Sequence, residues 1–224
     1  MRISVVIPAL NEADQIAEVV RSTRSLGDCE IIVVDGGSSD QTAEGACEAD
    51  IVLTTPPGRA VQQNAGAAAS SGEVLLFLHA DCRLQTGCFE AVQSALQNPR
   101  VVGGCFRQRI DAPGWKYRLI EQGNSARVRL LHWAYGDQGI FVRRSIFEKL
   151  GGFPELNLME DLFFTKRLKR EGNIALLDPP IQISARRWQK KGLVRQTLRN
   201  WTLITLVHCG VSPDRLARFY PHVR

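Results

Sequence analysis

Three acidic stretches follow apolar runs in this chain of 224 residues. Val74-Leu75-Leu76-Phe77-Leu78 runs into His79-Ala80-Asp81, Ile31-Ile32-Val33-Val34 ends at Asp35, and Ile3-Ser4-Val5-Val6-Ile7 runs into Pro8-Ala9-Leu10-Asn11-Glu12. Short, unbroken apolar runs read as strands buried on both faces, as in a parallel sheet. In an open α/β sheet, ligands sit in the crevice outside the carboxyl ends of the strands. The three runs would therefore deliver acids to one rim. Acids gathered there repel one another unless a cation or a set of hydroxyls lies between them. A metal-bound, hydroxyl-rich ligand meets that demand, and a sugar nucleotide is one.

Each residue also has a plainer reading. Asp35 opens Asp35-Gly36-Gly37-Ser38-Ser39-Asp40, and Asp and Gly are common turn formers. An acid at that place, followed by glycines that let a ligand approach the backbone, equally suits ribose hydroxyls or a base N–H. Asn11 is a natural helix N-cap, so Asn11-Glu12 carries the same two readings. Asp81 is a hard oxygen ligand suited to Mg²⁺ or Mn²⁺, which keep waters and share substrate phosphates. His79 reads first as a hydrogen-bonded structural group and second as a contact to ligand or metal. Arg59, Gln62, Gln63 and Asn64 fall on one predicted helix. Arg59 at its start suits a phosphate or a nucleobase carbonyl, whereas Gln62 reads as part of a solvated face. Glu160-Asp161 opens another helix, where the dipole favours acids without any function. Projected into a cleft by the Gly151–Met159 loop, the same pair suits a general base. Arg186-Arg187-Trp188 is either an exposed basic turn or a diphosphate clamp with an aromatic platform for a sugar ring.

The elements that must position these residues alternate. Ile16, Val19 and Val20 recur at helical spacing after Asn11, with Glu12 and Asp14 in the first turn. Asp40 is a candidate N-cap for a short helix to Glu48. Ile51–Thr54 reads as a strand and Arg59–Ser70 as an Ala-rich helix able to pack close to a sheet. This βαβαβαβ rhythm argues for a parallel, doubly wound sheet. It loosens after Gly87. Val101–Ile110 reads as a longer strand, Trp115–Leu131 as an amphipathic helix, Gly139–Val142 as a strand, and Ser145–Leu150 and Glu160–Arg170 as helices.

Composition sets outer bounds. The 44% apolar share is that of a globular protein. The net charge of +5 comes from the tail: nine Lys/Arg and one acid lie from Arg186 onward, against nineteen bases and twenty-two acids before it. Six cysteines, none in C-x-x-C spacing, read as buried free thiols of a reducing compartment. Met1-Arg2 leads straight into a strand, which predicts no signal peptide. No apolar run approaches the roughly 20 residues of a membrane span. The expected location is cytoplasmic, with peripheral attachment to the inner membrane face as a variant.

Taken in order, Pro8-Ala9-Leu10-Asn11-Glu12, Val34-Asp35-Gly36-Gly37-Ser38-Ser39-Asp40, Leu78-His79-Ala80-Asp81, Glu160-Asp161 and Arg187-Trp188 resemble the motifs of family-2 glycosyltransferases with the GT-A fold. The resemblance covers nearly the whole chain up to Trp188. It implies an α/β fold: a Rossmann-like, mostly parallel sheet flanked by helices. A catalytic domain over residues 1–188 would precede a basic helical C-terminal extension over 189–224. It also implies that Asn11, Glu12 and Asp35 line a nucleotide pocket flanked by Arg59 and Asn64. Asp81 matches the last Asp of the D-x-D metal motif, with His79 in place of the first. Asp161 matches the base, with Glu160 beside it, and Arg187-Trp188 match the end of a Q-x-x-R-W segment. Gln182 stands one residue too far from that pair to complete the segment, and no long membrane segments follow. Both departures argue against processive polysaccharide export. Tyr135-Gly136-Asp137-Gln138-Gly139-Ile140-Phe141-Val142-Arg143-Arg144 is similar to a small bacterial subgroup sometimes linked to arsenosugar biosynthesis.

The expectation is inverting transfer of a sugar from a UDP- or GDP-linked donor to an acceptor hydroxyl, with Mg²⁺ or Mn²⁺ held by Asp81. The rivals are a non-catalytic nucleotide-sugar-binding module and a sugar nucleotidyltransferase. The second lacks the Gly-rich loop with Arg and Lys that would meet a triphosphate after the first strand. Nucleic acid is not an expected partner, since the basic tail holds no recognisable module. In the tail, Leu193, Thr197, Trp201, Ile204 and His208 share one face of a predicted helix, with Lys190, Lys191, Arg195 and Arg199 near its start. Such a helix suits an anionic membrane surface, a cover over the acceptor cleft, or packing against its own domain or a second copy.

Overall fold

The computed structural model of the chain describes residues 1–192, 199, 202–207 and 209–217, with the backbone alone for Arg187, Lys190 and Lys191. The first half follows the alternation in the sequence: β1 (Ile3–Ala9), α1 (Ala13–Arg24), β2 (Glu30–Asp35), α2 (Thr42–Gly45), β3 (Ile51–Thr54), α3 (Arg59–Ala69) and β4 (Val74–Phe77). Then come β5 (Cys82–Arg83), α4 (Cys88–Ala95), β6 (Val101–Asp111), α5 (Trp115–Leu131), a 3-10 turn at Gly136–Gln138, β7 (Ile140–Arg143), α6 (Arg144–Lys149), α7 (Glu160–Glu171), β8 (Asn173–Ser184) and α8 (Arg186–Lys191). Helical residues 202–207 and a short helix at Pro213–Ala217 lie in the tail.

One sheet holds all eight strands in the order β3-β2-β1-β4-β7-β6-β8-β5. Strands β3, β2, β1 and β4 pair in parallel, β7 runs antiparallel to both β4 and β6, β8 is parallel to β6, and β5 is antiparallel to β8. The first half is thus the doubly wound sheet the sequence predicts, extended by a mixed half. Strand β8 and helix α4 have no counterpart in the sequence reading, and α2 is shorter than the predicted Asp40–Glu48 helix. Strand β8 escapes notice because Asp178-Pro179-Pro180 interrupts it, and proline donates nothing to a ladder. The register jumps there, from Phe106↔Leu177 to Gln108↔Ile181, so the prolines sit in a bulge.

Alternation along buried strands builds a core on each face. Strand β1 sends Ile3, Val5 and Ile7 to the face covered by α1 and α4, and Val6 to the face covered by α3, α6 and α7. Helix α3 seats deeply because Gly66 has no side chain: a Cβ there would stand 2.4 Å from Val6 Cγ1. Helix α8 runs across residues 188 and 189. The tail touches the body where Asn157 donates to Asp214 Oδ1 from its backbone N (3.2 Å) and from Nδ2 (2.9 Å). Leu203 and Leu216 are buried.

Candidate functional site

The ends of β1 and β2 stand in register, Ala9 opposite Asp35. Gln62 straps them together from α3: its Nε2 donates to Ala9 O at 2.7 Å and to Val34 O at 2.8 Å. The residue is 2% exposed, so the solvated face expected for Gln62 is a buried clamp instead. Helical periodicity alone assigns polar residues to water, and only the sheet beneath α3 reverses that. Asp35 Oδ2 accepts the backbone N–H of Gly37 (3.1 Å) and of Ser38 (2.9 Å), and Oδ1 accepts Ser38 Oγ. The carboxylate therefore shapes the turn directly after β2.

Asn11 is not the N-cap of α1; Glu12 holds that place. Asn11 takes a left-handed backbone (φ 53°), and its Oδ1 accepts the N–H of Ser39 at 2.9 Å. Asp40 is likewise not the cap of α2, whose N-cap is Gln41. Its carboxylate accepts Ala13 N at 3.3 Å and Thr42 N at 3.1 Å. The turns after β1 and β2 are thus laced into one polar corner. Glu12 Oε2 lies 3.4 Å from Arg186 Nη2, which joins that corner to the start of α8.

His79, Asp81 and Cys82 bring an imidazole nitrogen, a carboxylate oxygen and a thiol within 4.8 Å of one another. Cys82 Sγ stands 3.6 Å from Asp81 Oδ1. A divalent cation takes ligands from such a set, with imidazole and thiol accepted by the borderline transition metals and the carboxylate by Mg²⁺ or Mn²⁺. Asp81 fits a divalent site as a hard oxygen ligand, whereas the Cys82 thiol is not a ligand that Mg²⁺ or Mn²⁺ favours. Asp81 also lines a small polar cavity of about 90 Å³ with Gln15, Asp111, Gln182 and Ser184.

Gly136 links this cluster to the acid pair of α7. Its N–H donates to Asp161 Oδ2 at 2.6 Å, while Asp161 Oδ1 accepts the N–H of Leu162 at 2.6 Å. A Cβ on Gly136 would stand 2.4 Å from His79 Nε2 and 3.4 Å from Asp161 Oδ2. His79 and Asp161 thus flank one glycine. The role of Gly136 escaped the sequence reading; its signal was a pair of glycines around Asp137-Gln138.

Glu160 is buried, 3% exposed, and its Oε1 lies 3.7 Å from Arg59 Nη1. Burial and the neighbouring Asp161 push its carboxyl up to about 7, with Arg59 pulling the other way. Asn64 spends both ends of its amide on Phe153: Nδ2 donates to the backbone O and Oδ1 accepts the N–H, each at 2.9 Å. Phe153 packs on Phe164 and Phe77 at centroid distances of 4.4 and 4.8 Å. The loop ahead of Glu160-Asp161 is therefore pinned at its start rather than held by its glycines alone. Asn64, expected to flank the nucleotide pocket, thus has both ends of its amide on the backbone of Phe153.

A larger cavity of about 490 Å³ opens beside Asp161's partners. Leu119, Ile120, Leu131, Trp133 and Trp188 contribute apolar lining, and Tyr135 and Asp137, the neighbours of Gly136, line it together with Asn124 and Arg127. Trp188 thus does stand at a cavity. The side chain of Arg187 lies outside the described residues.

The sequence model of glycosyl transferase family 2 matches residues 4–151. The chain belongs to that family. It is 34% identical over 167 residues to an undecaprenyl-phosphate 4-deoxy-4-formamido-L-arabinose transferase of Pseudomonas paraeruginosa, covering 66% of this chain and 49% of the relative. It spans about half the length of the first curated relatives it matches. Among solved structures, a mannosyltransferase of Pyrobaculum calidifontis in complex with GDP-Man and Mn²⁺ superposes with TM-score 0.67 at 20% identity, over 99% of this chain and 70% of that one. The S. aureus TarS fragment in complex with UDP-GlcNAc gives 0.66 at 19%, over 82% and 58%. These likenesses establish a GT-A fold for the family member described here.

Proposed function

We propose that this chain transfers a sugar, with inversion, from a nucleoside diphosphate donor to an acceptor hydroxyl. The observation that carries the reading is the position of Gly136, with His79 of the D-x-D-like motif on one side and Asp161 on the other. Donor leaving group and acceptor base must meet at one anomeric carbon, and those two motifs meet at one residue.

Asp161 takes the acceptor proton as the acceptor oxygen attacks the anomeric carbon from the face opposite the departing nucleotide, which inverts the centre. Two backbone N–H groups fix its orientation, and a carboxylate so held still has lone pairs to offer the acceptor. Glu160, buried beside it, keeps Arg59 in place. The nucleoside is assigned to Asn11, Glu12 and the Asp35 turn, and Trp188 to the acceptor side. Asp81, with His79 beside it, would hold Mg²⁺ or Mn²⁺. When bound, that ion supplies neutralisation of the charge that grows on the nucleoside diphosphate.

UDP- and GDP-linked sugars are the donors to test, since the solved relatives of this fold carry both. Thermal shift with a panel of them, with and without Mn²⁺, identifies the donor because a ligand of the folded state raises the melting point. Hydrolysis or transfer of that donor by the purified chain, with the product anomer read by NMR, tests the reaction. Binding without turnover in any condition would favour the non-catalytic module. No donor bound at all would overturn the reading.

A further inference from the structure

The outward side of α5 is apolar where a surface helix normally carries charge. Trp115 is 67% exposed, Leu119 55%, Leu130 77% and Leu131 49%. Between them Lys116, Gln122, Gly123, Ala126 and Arg129 are exposed, and the uncharged ones form, with Trp115, Leu119 and Leu130, one stripe at spacings of three and four residues along about 25 Å of helix. Five of the seven exposed large apolar residues among those described fall on this helix or, as Leu206, on residues 202–207 beside it. The one acid of α5, Glu121, is turned inward, where Oε1 accepts the N–H of Ile110 at 2.6 Å and pairs with Arg118 Nη2 at 2.9 Å. The exposed charges on α5 are Lys116 at one end and Arg129 at the other.

The stripe continues inward. Leu119 and Leu131 belong both to it and to the wall of the 490 Å³ cavity, whose lining also includes Tyr135 and Asp137 on either side of Gly136 in sequence. The cavity, lined also by Asn124 and Arg127, thus borders both the exposed stripe and the two neighbours of the glycine that holds Asp161.

We propose that the outer face of α5 rests in the interface of an anionic membrane, and that the cavity behind it receives an acceptor carried on a lipid. A helix with a Trp- and Leu-bearing face flanked by cations partitions into such an interface, gaining from apolar burial and from attraction to anionic headgroups. The charge pattern selects a membrane over a second copy: a self-associating face would bring Lys116 and Arg129 against their like across a two-fold axis or near it, with no exposed acid on the helix to answer them. The lipid-linked acceptor rests on the transfer reading above; the docking does not. The tail helix, which the sequence also offers for membrane contact, has most of its named residues outside those described.

Flotation of the full chain with vesicles of phosphatidylcholine alone, and of phosphatidylcholine with phosphatidylglycerol, tests docking at low and high salt. The expected result is binding to the anionic vesicles, weakened by salt. The Trp115→Glu/Leu130→Glu double variant touches the stripe but not the cavity wall. It should bind at least about tenfold less, with unchanged melting temperature and unchanged thermal shift by the nucleotide sugar. Lys116→Gln/Arg129→Gln should lose most of the salt-sensitive part. No binding by the parent chain at low salt, or equal binding by Trp115→Glu/Leu130→Glu, overturns the proposal. So does a dimer, seen by sedimentation, that the same double variant dissolves while vesicles are ignored. Vesicle binding without any donor binding would leave the docking standing and remove the transfer reading instead.

Discussion

The backbone N–H of Gly136 donates to Oδ2 of Asp161 at 2.6 Å, and the same glycine leaves no room for a side chain against His79. A loop between α5 and β7 therefore sets the distance between the motif after β4 and the acids that open α7. Changing that one residue should disturb both.

Gly136→Ala places a methyl 2.4 Å from His79 Nε2, so the imidazole or the loop must move. Misplacement of about 1 Å at a reacting centre can cost on the order of 10²-fold. Transfer should fall by at least about tenfold while circular dichroism still reports a folded chain. A rate equal to the parent's would remove Gly136 from the site.

Asp161→Asn keeps size and polarity but cannot accept the proton, and its amide NH2 can no longer accept one of the two backbone N–H groups. Its expected cost is roughly 10²–10⁴-fold in turnover, with donor affinity little changed. Near-parent turnover would shift the base to Glu160 or Asp137.

Asp81→Ala should abolish the part of donor binding that depends on divalent metal, read by titration calorimetry with and without Mn²⁺. Asp35→Ala, by contrast, should weaken the free nucleoside diphosphate even without metal, because the turn that Asp35 holds would open. Intact metal dependence in Asp81→Ala would count against Asp81 as a ligand.

Glu160 carries a pH signature. Burial, then Asp161, raise its carboxyl from 4.5 to about 7. Between those values the folded chain keeps a proton that the unfolded chain has released. Its contribution to stability is therefore complete below about pH 4.5 and fades as the pH climbs to about 7. Glu160→Gln should flatten that segment of the stability curve in urea titrations. An unchanged slope would assign the proton to another group.

Gln62→Leu removes the strap between Ala9 O and Val34 O. A lost buried partner costs about 1–3 kcal/mol, and for a chain of this size each kcal/mol lowers the melting temperature by roughly 2–4 °C. A variant as stable as the parent would mean that Gly36, whose N–H also reaches Ala9 O at 2.9 Å, suffices for the corner.

The sequence by itself determined the parallel half of the sheet, because β1, β2 and β4 are apolar on both faces and have turn or helix signals immediately after them. Trp115–Leu131 was legible to its end residues for the same reason: its periodicity is local. The acids at strand ends were legible as residue types placed after apolar runs. Tertiary structure alone decided which of them meet. Gln62 looks solvated until the ends of β1 and β2 lie beneath it, and Asn64 looks available until Phe153 comes to it from 89 residues away. Strand β8 hides behind its prolines until β6 accommodates their bulge. His79 and Asp161 become neighbours only through Gly136, by contacts that span tens of residues in sequence. Local pattern records what a segment does with its own backbone and nearest turns. Partners brought together by packing of distant segments leave no such mark, and it is those partners that fix the geometry of the site.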